Sequence, residues 1–116
     1  MSLAKALRKR RQVNARQISV AQWADEDGQP FVFYCYPITC NDLKVLEAKH
    51  KDFLNNTTVS AMVDLIVLKA TDEAGTKLFT SAEDRVELMG EEITIISDIA
   101  EQMFSTIESV EQAEKN

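Results

Sequence analysis

From Gln17 onward the side chains pass from a two-residue period to a helical one, and that change limits the folds open to the chain. From Gln17 they alternate, with Ile18, Val20 and Gln22 on one side of an extended segment and Ser19, Ala21 and Trp23 on the other. After Asp25-Glu26-Asp27-Gly28-Gln29-Pro30 comes Phe31-Val32-Phe33-Tyr34-Cys35-Tyr36, a run of aromatic and β-branched residues closed by Pro37. Two strands around a glycine-containing turn predict a β-hairpin. Beyond Thr39 the period lengthens to that of helices, interrupted only by a short extended segment at Lys77-Leu78-Phe79-Thr80. The expected fold class is α+β, an N-terminal β-hairpin followed by a helical majority of about four helices.

Those helices can be placed from caps and spacing. Residues Thr39 to Asn41 offer N-caps, and Leu43, Leu46, His50, Phe53 and Leu54 recur on one face until Asn55-Asn56. A second helix opens at Thr57 or Thr58 and carries Val59, Met62, Val63, Ile66 and Ala70, with Leu65 and Leu68 widening its apolar side. Being apolar on most sides, it is the expected centre of the core. Asp72-Glu73-Ala74-Gly75 reads as a turn, and Ser81-Ala82-Glu83-Asp84 as a capping box with Asp in place of Glu, opening a helix that Gly90 closes. The last helix is expected from Glu91 or Glu92 to about Val110. It repeats every seven residues, with Ile93, Ala100 and Ile107 at one position and Ile96, Met103 and Val110 at the other.

Charge divides the chain more sharply than hydropathy does. Residues 1–16 hold Lys5, Arg8, Lys9, Arg10, Arg11 and Arg16 and no acid, for a net of +6, whereas residues 72–116 carry −9. Residues 3–12 could form a short basic helix, but with too little apolar surface to hold itself down. Residues 1–16 are therefore expected to be a flexible basic arm, residues 17–110 a single domain, and residues 111–116 a frayed tail. An acidic body repels nucleic acid, and no lysine or arginine lies between Ile18 and Leu43 to line a groove beside the hairpin's aromatic rings, so nucleic acid is an unlikely partner. No apolar run is long enough to span a membrane, and the expected location is the cytosol, with Cys35 and Cys40 reduced.

Catalytic constellations are scarce. The single histidine, His50, would have to serve as base in any nucleophilic triad, and no G-x-S-x-G elbow accompanies it. Three glycines make no phosphate-cradling loop, and two cysteines with one histidine make no four-ligand zinc site. In the Asp25-x-Asp27-Gly28 turn, a calcium-loop alignment would put Trp23 and Tyr34 where carboxylates are required. No enzyme, cofactor or metal site is expected, and a protein-binding role is.

The order of basic start, strand, Trp23, acidic turn, strand and Pro37-Ile38-Thr39, followed after helices by Asp72-Glu73-Ala74-Gly75-Thr76-Lys77-Leu78-Phe79-Thr80 with Asp84 and Leu88, resembles the tail assembly chaperones of long-tailed bacteriophages and prophages. The resemblance covers roughly residues 17–107. It implies a protein of the host bacterial cytoplasm, absent from the mature virion. Such a protein binds the tape measure protein, keeps its hydrophobic helices soluble, and gives way as tail tube protein polymerises around it. A client of amphipathic helices calls for an accessible apolar surface on an acidic body. The final helix offers Ile99, Met103, Phe104 and Ile107, because Ile99 and Phe104 broaden its face beyond the heptad seam. The same face would serve equally for packing within the domain or for a homo-oligomer. Two alternatives stand beside this reading: a small nucleic-acid-associated regulator using the basic arm, and an oligomeric structural subunit.

Overall fold

The computed structural model describes the backbone of residues 2–115 and the side chains of residues 2–105. In chain order the elements are α1 (Leu3–Val13), β1 (Arg16–Val20), a single 3₁₀ turn (Ala21–Trp23), β2 (Phe31–Cys35), α2 (Cys40–Lys49), α3 (Val59–Lys69), β3 (Ala70–Thr71), α4 (Ala82–Met89) and α5 (Ile93–Lys115). The fold is α+β, with four helices following the hairpin as expected and a fifth preceding it. The expected arm is thus a helix over Leu3–Val13, and Arg16 already belongs to the sheet. The last helix also continues past Val110 to Lys115.

The hairpin pairs β1 with β2 antiparallel, from Arg16 opposite Cys35 to Val20 opposite Phe31. Ile18, Val20, Phe33 and Cys35 are fully buried on one face, which is the two-residue alternation read from the sequence. That alternation stops at Val20. The 3₁₀ turn rotates Trp23 out of strand phase and brings its ring to 6.1 Å from that of Phe31. A third strand adds to the hairpin: β3, at the end of α3, pairs antiparallel with β2 through Tyr34 and Cys35.

The two acidic turns share one construction. Asp25 Oδ1 accepts from the N–H groups of Asp27 and Gln29, and Asp72 Oδ1 accepts from those of Ala74 and Thr76, all between 2.9 and 3.0 Å. In each turn the residue three places on is a glycine at positive φ, 78° at Gly28 and 89° at Gly75, where a side chain would be strained. The pattern Asp-Glu-x-Gly therefore encodes both reversals.

Helix α3 occupies the centre, packing against α2, α4 and α5, and Ala61, Val63, Leu65 and Ile66 are fully buried on it. Helix α2 is shorter than its periodicity predicts. It stops at Lys49, and Asp52 takes a left-handed conformation (φ 57°), so Phe53 enters the core from a turn. Its start is the capping box of Thr39 and Asp42, and Asp42 also receives Lys69 Nζ at 2.7 Å from the far end of α3. The Ser81–Asp84 box at the head of α4 forms as read, with each residue accepting the other's backbone N–H at 3.2 Å.

Helix α5 lies between α3 and β1. Among the described residues its buried side chains are the seam positions Ile96, Ala100 and Met103 together with Ile95 and Ile99, which widen the seam to one side. Ile93, expected on the seam, is 51% exposed in the first turn. Gln102 covers the free edge of β1: its Nε2 donates to the Ser19 carbonyl at 3.0 Å, and its Oε1 accepts the Ser19 N–H at 3.2 Å. Arg16 Nη1 donates to Ser105 Oγ farther along the same edge. An exposed strand edge invites pairing with another chain, and α5 closes this one.

Candidate protein-docking site

Where the turn end of the hairpin meets α4, the surface opens into a cleft of about 340 Å³. The 3₁₀ turn supplies Trp23, the first residue of β2 supplies Phe31, the segment after the second acidic turn supplies Phe79, and α4 supplies Leu88. Leu88 is buried, Trp23 and Phe79 are half-buried, and Phe31 remains 40% exposed. Phe31 also stands 6.2 Å from Phe33, so the groove is continuous with the core. The Trp23 indole N–H is closed off with no acceptor among the described residues, a mark of imperfect packing at this end of the sheet.

The remaining lining groups are all carboxylates: Asp84, Glu87 and Glu91. Hydrogen bonds from the Thr80 and Ser81 N–H groups hold the Asp84 carboxyl below the usual carboxylate range. An aromatic and aliphatic floor with an acidic edge binds by area and by charge. It suits an apolar side chain on a helix whose neighbouring residues are Lys or Arg.

The residues expected at the site lie elsewhere. Ile99 and Met103 are fully buried in the core between α3 and β1, which corrects their reading as a partner surface. Phe104 is half-buried with its ring 5.7 Å from that of Phe53, and it packs within the domain. The side chain of Ile107 lies outside the described residues. The breadth of the face has a tertiary cause, since a helix wedged between a sheet and another helix is covered from two directions.

The groove residues had weaker signals in the sequence. Glu87 stands four residues after Glu83 on α4, a like-charge spacing that weakens a helix, but Glu91 lies beyond the Gly90 cap and joins Glu87 at the groove only through the fold. Trp23 stands at the end of an alternating run, but its approach to Phe31 depends on the 3₁₀ turn.

His50 belongs to a different cluster. Its Nε2 lies 2.6 Å from Asp64 Oδ2, and Asp64 Oδ1 accepts from Arg85 Nε at 2.7 Å, while Arg85 Nη2 donates to Ser60 Oγ at 2.9 Å. Burial acts to raise the Asp64 pKa, but the hydrogen bonds from Arg85 and His50 outweigh it and hold the carboxyl below its ordinary range. The cluster joins α2, α3 and α4 at a boundary. Among the described residues no three His, Cys, Asp or Glu side chains are grouped to hold a metal, and no helix is long and apolar enough to cross a membrane. Cys35 is buried, and burial above all pushes its thiol up to about 11, whereas Cys40 is exposed.

Compared with known proteins, the chain has no significant match among family models, curated proteins or solved structures.

Proposed function

We propose that the chain is a non-enzymatic tail assembly chaperone of a long-tailed phage or prophage, binding the tape measure protein through non-covalent contacts in the host bacterial cytoplasm. The observation that supports this reading is the groove of Trp23, Phe31, Phe79 and Leu88 with its edge of carboxylates. A client helix would place an apolar residue on the aromatic floor and cations against Glu87 and Glu91, and release it as tail tube protein takes over. The exposed carboxylates of Glu87 and Glu91, beside half-buried Asp84, disfavour purely apolar sequences, which gives the site selectivity as well as area.

The test is to look for a tape measure gene beside the gene of this chain and to co-express the tagged chain with its product. Phe31→Asp and Glu87→Lys alter exposed side chains, so both variants should fold and both should lose the client. Retention of the client by both, or failure of the unaltered chain to retain it, would sink the proposal.

A second reading draws on α1, whose side chains are all exposed, and on the cleft that Arg10, Arg11 and Arg16 form with residues 37–41. A basic helix of this kind can lie along a nucleic-acid backbone. A mobility shift that weakens steeply with salt would favour it over client binding.

A further inference from the structure

Helix α1 is formed without being packed on the rest of the domain. It has eleven residues, begins at a Ser2 cap, and buries none of its side chains. An isolated helix of that length is marginal in water, because nucleation is costly and few hydrogen bonds offset it. Leu3 and Leu7, one turn apart on the same face, are 74% and 46% exposed. Lys5, Arg8, Lys9, Arg10 and Arg11 surround them, with no acid between. This is the chemistry the groove calls for.

Its own groove lies at the other end of the hairpin. The C-terminal end of α1 sits beside residues 37–41, near the Arg16–Cys35 pair, while the groove opens beyond the Val20–Phe31 pair. A five-residue strand separates the two sites, a distance of about 13 Å at the usual rise.

We infer that α1 of a second copy of this chain docks in the groove, setting Leu3 and Leu7 against Trp23, Phe31, Phe79 and Leu88 and its cations against Asp84, Glu87 and Glu91. The inference rests on the groove being a helix-docking site, as in the function proposed above, and adds its regulation. In the absence of client the site is covered by a neighbour's α1, and a client helix gains access by displacing it. Donor and acceptor surfaces differ, so the contact is head-to-tail, closing as a reciprocal pair or extending as a chain.

The test uses the full-length protein alone, without client. Light scattering over a concentration series should show self-association, accompanied by a change in the emission of Trp23, the only tryptophan. The double variants Leu3→Asp/Leu7→Asp and Glu87→Lys/Glu91→Lys alter only exposed side chains. Each should keep the unaltered protein's circular dichroism, apart from any loss of α1 in the first, and should weaken association by about tenfold or more. Mixed together, they should form a one-to-one pair, because the groove of the first remains open to the α1 of the second. A monomeric parent at every concentration, association that survives in both variants, or a mixture that does not pair would each overturn the inference. A parent that stays monomeric yet binds a basic amphipathic peptide at Trp23 would assign the groove to foreign helices alone. Failure of client capture bears only on the function proposed above.

Discussion

Removing the Asp64 carboxylate should destabilise the protein by about 2–3 kcal/mol. It receives the His50 ring at 2.6 Å and the Arg85 guanidinium at 2.7 Å while only 11% exposed. A hydrogen bond to a charged group contributes about 1.5–3 kcal/mol when shielded. The His50 contact, 13% exposed, keeps roughly the lower value, whereas Arg85 is 38% exposed and solvent screening reduces its share to about 1 kcal/mol at most. Asp64→Ala should therefore exceed Asp64→Asn, which keeps an acceptor for Arg85. Urea denaturation at neutral pH measures both, and a double-mutant cycle with Arg85→Ala isolates the pair.

The pH dependence has a determined sign. The folded pKa of Asp64 lies below the unfolded value, so its stabilisation is complete above the unfolded pKa and is lost as pH falls through the folded one. Asp42 behaves alike: burial raises its pKa, but hydrogen bonds from Lys69 and Thr39 prevail and lower it. On acidification below about pH 4 the parent should lose stability faster than Asp64→Ala, and the two curves should converge. A cost under about 0.5 kcal/mol at neutral pH, or parallel acid profiles, would refute the role given to this cluster.

Ile99→Ala should cost about 2–5 kcal/mol and Ile99→Asp should prevent folding, because the side chain is fully buried between α3 and β1; a folded, soluble Ile99→Asp would restore that face as a partner surface. A thiol reagent should modify Cys40 at once in the native protein and Cys35 only on unfolding, since the latter is buried and protonated; two equal fast phases would contradict that burial. Phe79→Ala should cost about 2 kcal/mol, a half-buried ring, and Ser81→Ala about 1 kcal/mol, the helix cap; thermal midpoints in the reverse order would misplace the segment between the turn and α4.

Local chemistry was legible in the residues themselves. The hairpin, both Asp-Glu-x-Gly turns, the Ser81 box and the central α3 depend on neighbours a few positions apart in the chain, and period, caps and glycine freedom report those directly. Exposure is a different quantity. The wide apolar face of α5 reads the same whether it meets a partner or is enclosed by α3 and β1, and only the assembled fold shows Ile99 and Met103 to be enclosed. Likewise α2 stops short of its periodic pattern where His50 turns extended, and the left-handed Asp52 that follows leads Phe53 into the core from a turn. The groove needed more still, since Trp23, Phe31, Phe79 and Leu88 come from four separate segments. Amphipathic period tells a helix which side is apolar. What covers that side is settled by elements far away in sequence, whose packing no local pattern encodes.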